Sequence, residues 1–435
     1  MEKRSLPNFL IEYLIYYLLI QGFLISVLHF PSMMQYLMDI VVIFLLFYSI
    51  LFLPRLKALF KIKPINTVFR YVAFFIVLML LSALLHFVPV FQVLWAVRNN
   101  VFYLLFFVFS IMYLRFSDAK RIMNNLMRFQ VINVICALFE FFVLHLSGDF
   151  CGGMFGIIQG CNGPLNIYLM IISAFMISCY LNKKTSIINT LIILASSLLV
   201  ATIAELKVFY FEIALIFILQ LFLSGETIKG FLIFVFLILG TVITLNIYRM
   251  INPIAYKVFS GFDSLFAYGS ESEFGYGTIV PRIGFASFIN RSFFKGNLWL
   301  NLFGFGFGFC EDSRTFELFN SEFATKYASM QYRGISSSMT FLETGYVGLI
   351  SLIALFIVIF IVVYKLKGVF PNHKHVVSFT LTLSVILLLN IFYNSDIREY
   401  VAYLSYFALS VFFVMVKELY IKKELLKRER LRENL

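Results

Sequence analysis

Twelve apolar stretches constrain the fold of this chain more than any other feature of its sequence. A helix needs about 20 mainly apolar residues to cross roughly 30 Å of hydrocarbon. Runs of that kind lie at 8–28, 35–54, 67–88, 99–114, 129–147, 164–182, 187–204, 208–223, 230–248, 343–364, 376–393 and 400–417. We therefore expect about 12 transmembrane helices joined by short connections, with one long gap between helices 9 and 10.

The composition supports the same fold class. The chain is 61% hydrophobic and only 13% charged, whereas a soluble domain carries roughly 25% charged residues. No internal repeat or separate soluble module is visible. The sequence predicts an all-α polytopic membrane protein that forms a single transmembrane domain over residues 1–435. This domain would be embedded in the lipid bilayer, which is therefore a predicted partner.

The distribution of Lys and Arg predicts the orientation of these helices. The net charge is +12, and basic clusters recur in alternate connections, for example "RLKALFKIK", "NKK" and "KLKG". Because short cytoplasmic loops are enriched in Lys and Arg, we place both termini in the cytoplasm. The charge is then a topology signal rather than a sign of nucleic-acid binding. The basic tail 418–435 is expected to be a solvated cytoplasmic helix, or one that touches anionic lipid.

The outer connection at 249–342 is too long for a simple connector. Two of its segments, "RIGFASFINRSFFKGNLWLNLF" and "SRTFELFNSEFATKYASMQYR", have apolar positions at helical spacing. Between them lies "NLFGFGFGF", in which Gly304, Gly306 and Gly308 would allow a sharp turn and a close approach to a substrate. We expect its phenylalanine rings at the membrane interface. The alternative is an interfacial turn without chemistry.

Four basic residues on the predicted outer side are candidates to bind an anion. Ionisable residues at a membrane boundary are costly and therefore candidates for function. Arg binds phosphate oxygens with a planar fork of donors, so the predicted ligand is a phosphate or diphosphate headgroup. Each residue has a second interpretation, as an interfacial anchor or the partner of a carboxylate. The four are Arg98, Lys207, Arg282 and Arg398, and weaker candidates in the long loop are Arg291, Arg314 and Arg333.

Glu343 is the candidate acid, because it falls where the tenth predicted helix enters the membrane. A buried carboxylate there could accept a proton from an attacking hydroxyl or orient a sugar. The alternative is a helix-start acid favoured by the dipole. Glu205 is a candidate ion-pair partner of Lys207.

The cysteines and the known short motifs indicate no further catalytic or metal-binding site. Cys151 and Cys161 lie in one outer loop, where they would form a disulfide or remain free thiols. The sequence has no CxxC, HExxH or P-loop pattern, so we predict no metal site, no ATP site and no cofactor.

Several segments together resemble a known family. "LWAVRNNVFYLLFF", "GGMFGIIQGCNGPLN", "AELKVFYF", "PRIGFASFINRSFF", "NLFGFGFG" and "SSSMTFLETGYVGL" are similar, in order and spacing, to segments of the O-antigen polymerase (Wzy) family and its ligase relatives. The resemblance implies a GT-C-like glycosyltransferase of the bacterial inner membrane that needs neither metal nor nucleotide sugar. It would transfer a growing glycan from undecaprenyl diphosphate to a lipid-linked repeat unit at the periplasmic face. The product would be O-antigen, capsule or exopolysaccharide, and a chain-length regulator and a flippase are implied as partners.

The resemblance also implies roles for particular residues. Arg98, Lys207 and Arg282 correspond to the family's outer cations, which would hold the diphosphate and stabilise it as it leaves. Glu343 and Arg282 are the implied catalytic residues. Gly304, Gly306 and Gly308 match the glycine turn of this family. Glu343, Gly345 and Gly348 match the family's motif at the start of the next membrane helix.

Two other functions remain open at this stage. A ligase that loads glycan onto lipid A core commonly has a histidine before the Glu-x-Gly segment. Here that neighbourhood reads "GISSSMTFLE", which favours the polymerase. A lipid-linked oligosaccharide flippase would need charges at mid-depth and no large outer loop, and this sequence has the opposite pattern.

Overall fold

The computed structural model describes residues 5–253, 256, 273–274, 277–313 and 315–433. Side chains are described for all of these except 53, 55, 273–274, 277–278 and 426–433. Arg314, a predicted substrate-binding residue, lies outside the described residues. The long helices, which we number α1 to α12, are Leu6–Ser26, Leu37–Leu51, Lys63–Leu85, Val90–Tyr113, Phe116–Phe142, Asn162–Leu181, Ile187–Ile203, Lys207–Ser224, Thr227–Ile251, Ser336–Lys365, Lys374–Tyr393 and Ala402–Glu433.

The prediction of an all-α polytopic membrane protein is confirmed. Helices make up 81% of the structure. Within the described residues, 11 helical spans are long and apolar enough to cross a membrane, one of which is α2 taken together with the 3₁₀ turn Ser32–Tyr36 before it. α7, with 17 residues, is a shorter apolar helix. Each of the twelve predicted runs coincides with one of these helices. The only strands described, Glu273–Phe274 and Gly277–Thr278, pair as a two-residue antiparallel hairpin.

The bundle has a well-defined interior and a lipid-facing exterior. The most apolar 18-residue window of α6 is 100% buried, and those of α11 and α12 are 72% buried, so these helices form the core. The corresponding window of α9 is only 17% buried. A large exposed apolar surface on a helix of this length is expected where it faces lipid tails.

Because successive helices run in opposite directions, their connections alternate between two ends of the bundle. We call the end that carries connections 27–36, 86–89, 143–161, 204–206, 252–335 and 394–401 the loop face, and the other end the opposite face. Contacts of the helix ends at each face agree with this division. At the loop face, Trp95 Nε1 donates to the Asp312 carbonyl over 2.9 Å. At the opposite face, Asn8 Nδ2 donates to Asp118 Oδ2 over 3.1 Å.

The long loop differs from its prediction in two ways. It spans 252–335 rather than 249–342, because α9 continues to Ile251 and α10 already begins at Ser336. Its predicted amphipathic helices are broken into short pieces, which are Phe285–Ile289, a π-helical turn at Asn290–Phe294, Leu298–Phe303 and Glu322–Tyr327. Glycines and short polar caps between these pieces interrupt the helical hydrogen bonding.

The central rings of "NLFGFGFGF" pack into the protein, and their position at the membrane interface stays a prediction. Phe307 is fully buried, and Phe305 and Phe309 are half-buried. The turn folds inward because its backbone packs against α10.

The basic tail is helical as predicted over its described part. α12 runs without interruption from the membrane region to Glu433.

Candidate functional site

The site is built where α10 breaks. Gly345 interrupts the helix with φ +60° and ψ −159°, a backbone conformation essentially restricted to glycine. A Cβ atom at Gly345 would lie 2.4 Å from the carbonyl carbon of Leu302. The helix therefore breaks next to Glu343 so that loop backbone can approach it.

The glycine turn occupies the space that this break opens. Phe305 N–H donates to the Leu342 carbonyl and Gly306 N–H to the Glu343 carbonyl, both over 2.8 Å. Gly304, at φ +70°, leaves no room for a Cβ atom, which would lie 2.4 Å from the Glu343 carbonyl carbon. The glycine turn therefore approaches α10 closely. Contact of these glycines with a substrate stays a prediction.

Glu343 is buried at this junction, and only 1% of its side chain is exposed. Its Oε1 accepts a hydrogen bond from the Gly308 N–H over 3.0 Å. Its Oε2 lies 3.4 Å from Arg398 Nη2. The carboxylate thus joins the loop, α10 and the turn between α11 and α12.

Arg398 binds a second buried carboxylate more closely. Its Nη2 lies 2.6 Å from Glu311 Oε1, and the two side chains are 8% and 1% exposed. Glu311 Oε2 accepts from Asn99 Nδ2 over 2.9 Å. Glu311 was not among the predicted site residues, although its position shortly after the glycine turn, in the charged "CEDSR", was an available signal.

Asn99 connects this group to Arg98. Both residues lie in a π-helical turn, Val97–Val101, inside α4, and such turns are frequent at functional sites. Arg98 donates to Asn99 Oδ1 over 2.9 Å and to Asp39 Oδ2 over 2.7 Å. Its guanidinium also lies 4.7 Å from the centre of the Trp95 ring.

We call this set, Asp39, Arg98, Asn99, Glu311, Arg398 and Glu343, the Glu343–Arg398 network. With every group ionised it contains three carboxylates and two guanidiniums, a net charge of −1. Arg98 and Arg398 are therefore each paired with carboxylates, which is the second interpretation that the sequence allowed. Their pairing favours positioning of the acids over direct capture of an anion.

The network is tightly enclosed. Among the described residues, Arg398 Nη1 has no hydrogen-bond partner. Arg398 lines a cavity of about 10 Å³ together with Asn100 and Thr340, a volume near that needed for one water molecule. A sugar could reach Glu343 only if the loop moved away from the bundle.

The described contacts of Arg282 and Lys207 are with residues outside the Glu343–Arg398 network. The Arg282 guanidinium lies 4.4 Å from the centre of the Tyr393 ring at the end of α11. Lys207 begins α8, two residues after Glu205. Glu205 Oε1 accepts a hydrogen bond from Tyr248 Oη over 2.5 Å. Both cations are at the loop face.

The turn that carries Arg398 also holds a buried acid, Asp396. Asn394 Nδ2 donates a hydrogen bond to it. Burial raises the pKa of Asp396 well above its ordinary value, and the charges of Glu399 and Glu212 raise it further. Burial therefore disfavours the charged form of this carboxyl relative to water.

The weaker loop candidates lie nearer the surface. Arg291 is exposed in the π-helical turn Asn290–Phe294. Arg333 forms an ion pair with Asp312, with side chains 38% and 28% exposed. An exposed pair of this kind contributes little to stability.

The disulfide proposed between Cys151 and Cys161 is not formed in this structure. Both thiols are free, and they face different carbonyl groups. The Cys151 thiol is directed at the Ala137 carbonyl and the Cys161 thiol at that of Asp149. Burial raises the pKa of both thiols above the ordinary value, which makes them poor nucleophiles.

No family model and no curated protein matches this chain. The arrangement itself can support acid–base chemistry, since two buried carboxylates share one guanidinium at the loop face.

Proposed function

We propose that this chain is a polysaccharide polymerase of the inner membrane. It would transfer a growing glycan from undecaprenyl diphosphate to a lipid-linked repeat unit at the loop face, which would be periplasmic. The observation that carries the proposal is the position of Glu343. This carboxylate is buried seven residues into a membrane helix, pairs with Arg398, and accepts a backbone hydrogen bond from the long loop.

The proposed reaction has four coupled changes. A hydroxyl of the acceptor sugar gives its proton to a carboxylate, and its oxygen bonds to the anomeric carbon of the donor. The bond from that carbon to the diphosphate oxygen breaks, and the diphosphate leaves with the electron pair. General-base catalysis of this kind contributes typically 10²–10⁴-fold. Glu343 is the proposed base, and Arg398 is its positioning residue.

The diphosphate needs cationic ligands at the loop face. Arg282 and Lys207 are the proposed ligands, since both lie at the loop face where a polyprenyl diphosphate headgroup would sit. Their charge would stabilise the leaving group as negative charge builds on it. Arg98 is instead assigned to holding Asn99 and, through it, Glu311.

Access to Glu343 would require the loop to open. Glu311 and the glycine turn belong to the loop, whereas Glu343 and Arg398 belong to the bundle. Movement of the loop would part the Glu311–Arg398 pair and free guanidinium donors at the moment when substrate enters. Gating by loops is a common way to exclude water from a reacting site.

The test is glycan laddering in a strain that lacks the gene. Loss of polymer, with a single capped repeat unit retained, supports the polymerase. Polymer that is still made on its lipid carrier but never attached to lipid A core would point to a ligase instead. Repeat units trapped on the inner leaflet would point to a flippase.

Complementation with variants assigns the chemistry to the site. Glu343→Gln should restore no ladder although the protein accumulates in the membrane. Glu317→Gln is the matched control, because Glu317 is an exposed acid of the same loop face. A normal ladder with Glu343→Gln would remove Glu343 as the base.

A further inference from the structure

A second cavity lies at the opposite face, between the ends of α5, α6 and α11. Its volume is about 370 Å³, within the range of small-molecule sites. It is separate from the Glu343–Arg398 network, which is at the other end of the bundle. We call it the opposite-face cavity.

The polar side of this cavity is rich in basic groups. Its lining includes Lys120, Lys184, His373 and His375, with Asn124 and Asn372 between them. The two lysines are exposed at its mouth, and His375 is buried with 9% exposure. Within the described part of the chain, Nδ1 of each histidine has no hydrogen-bond partner.

Two nearby carboxylates, Glu418 and Glu226, already have protein partners. Glu418 accepts a hydrogen bond from the Phe116 N–H over 2.7 Å. Glu226 pairs with Lys183 over 3.3 Å. The cavity therefore presents ammonium groups and imidazole nitrogens without a lining carboxylate, which is the donor set suited to phosphate oxygens.

The inner wall is apolar. Met127, Phe175 and Met176 line it. Phe116, at the mouth, and Met127 are eleven residues apart on α5, a distance of about 16 Å along the helix axis. The cavity thus combines a basic entrance with an apolar interior reaching toward the membrane.

We infer that the opposite-face cavity binds a phosphate-bearing anion. Lys120 and Lys184 contact its oxygens at the mouth, and His375 donates or accepts a hydrogen bond deeper inside. The phosphate belongs either to an anionic lipid headgroup, whose chain follows the apolar wall, or to a free phosphorylated molecule. This inference is independent of the proposed polymerase activity.

The first test measures binding of inorganic phosphate to the purified full chain in phosphatidylcholine nanodiscs, by ³¹P NMR line broadening. The double variant Lys120→Gln/Lys184→Gln should bind at least about tenfold more weakly, since each charged hydrogen bond lost is worth roughly that factor. Both lysines are exposed, so folding should be unaffected, and size-exclusion chromatography checks this. Lys120→Arg/Lys184→Arg keeps the charges and should retain binding.

The second test identifies the source of the phosphate. The chain is reconstituted in phosphatidylcholine vesicles that contain a minor share of phosphatidylglycerol, and retained lipid is measured by native mass spectrometry. Phosphatidylglycerol held by the wild type and lost from the Gln double variant identifies a lipid headgroup. Phosphate binding without retained lipid identifies a free phosphorylated ligand.

Lys367→Gln is the matched control, because Lys367 is an exposed lysine of the same face, outside the cavity. It should change neither measurement. The inference is overturned if wild type binds neither phosphate nor phosphatidylglycerol, or if Lys367→Gln weakens binding as much as the double variant does.

Discussion

Substitution of Gly304 by alanine tests whether the glycine turn fixes the loop against Glu343. Gly304 has φ +70° and ψ −163°, a region that costs a non-glycine residue about 1–3 kcal/mol. Its added Cβ would lie 2.4 Å from the Glu343 carbonyl carbon, about 1 Å short of an ordinary carbon–carbon contact. Overpacking of this kind costs about 1–3 kcal/mol more. We expect Gly304→Ala to be destabilised by about 2–6 kcal/mol in total.

Gly225→Ala separates the two contributions. Gly225 ends α8 at the opposite face with φ +70° and ψ 11°, and nothing lies within 4 Å of its Cβ position. Only the left-handed backbone is penalised there, by about 1–2 kcal/mol. The assay is the apparent melting temperature of the purified protein in detergent, measured by the fluorescence of a thiol-independent dye.

Activity provides the second readout of the same pair. If the turn must move by about 1 Å to admit the methyl group, transfer should fall about 100-fold, because misplacement on that scale costs such a factor. Gly225→Ala should keep wild-type chain length. Equal melting temperatures and equal ladders for the two variants would refute the close packing of the turn on α10.

Three further predictions concern single contacts. Arg398→Ala should lower the free energy of unfolding by about 3–5 kcal/mol, because it leaves buried carboxylates unpaired. Arg333→Ala, at an exposed ion pair, should lower it by at most about 1 kcal/mol. Equal losses for the two variants in a denaturation series would contradict this. Because burial raises the pKa of Asp396, its contribution to stability is present at low pH and is lost as the pH rises from about 4 through the raised folded-state value. Asp396→Asn should therefore gain in melting temperature over wild type as the pH increases, and a constant difference across pH would exclude this titration. Cys151 and Cys161 should both be alkylated after denaturation without reductant, as measured by mass spectrometry. Alkylation only after reduction would show that the two cysteines form a disulfide.

The membrane fold was predictable because its signal is local. Twenty consecutive apolar residues predict a membrane helix whatever its neighbours are, and all twelve predicted runs are helices here. The exact ends of the helices were harder to predict. α9 and α10 each extend beyond their predicted runs into the loop, because helix ends depend on packing and capping rather than on hydropathy.

The network was predictable only in part. Glu343, Arg98, Arg398 and the glycine turn were singled out as ionisable or backbone-special residues at a membrane boundary. Their pairing was not, because Glu311 and Arg398 are 87 positions apart in sequence. Nothing in one sequence states which distant carboxylate meets which guanidinium.

Asp39 and Asn99 were missed for the same reason. Asp39 lies in an apolar helix where an acid normally has a partner, and that was the available signal. Its partner Arg98 lies in the π-helical turn of α4. A change of helical register of this kind leaves no hydropathy pattern.

The most direct test of the central claim is transfer by the purified protein in vesicles. The substrate is a radiolabelled oligosaccharide on undecaprenyl diphosphate, and the products are longer glycan and free undecaprenyl diphosphate. We predict that wild type and Glu317→Gln form both products in equal amounts, and that Glu343→Gln forms at least about 100-fold less of each. Wild-type release of undecaprenyl diphosphate by Glu343→Gln would contradict the assignment of the Glu343–Arg398 network as the active centre.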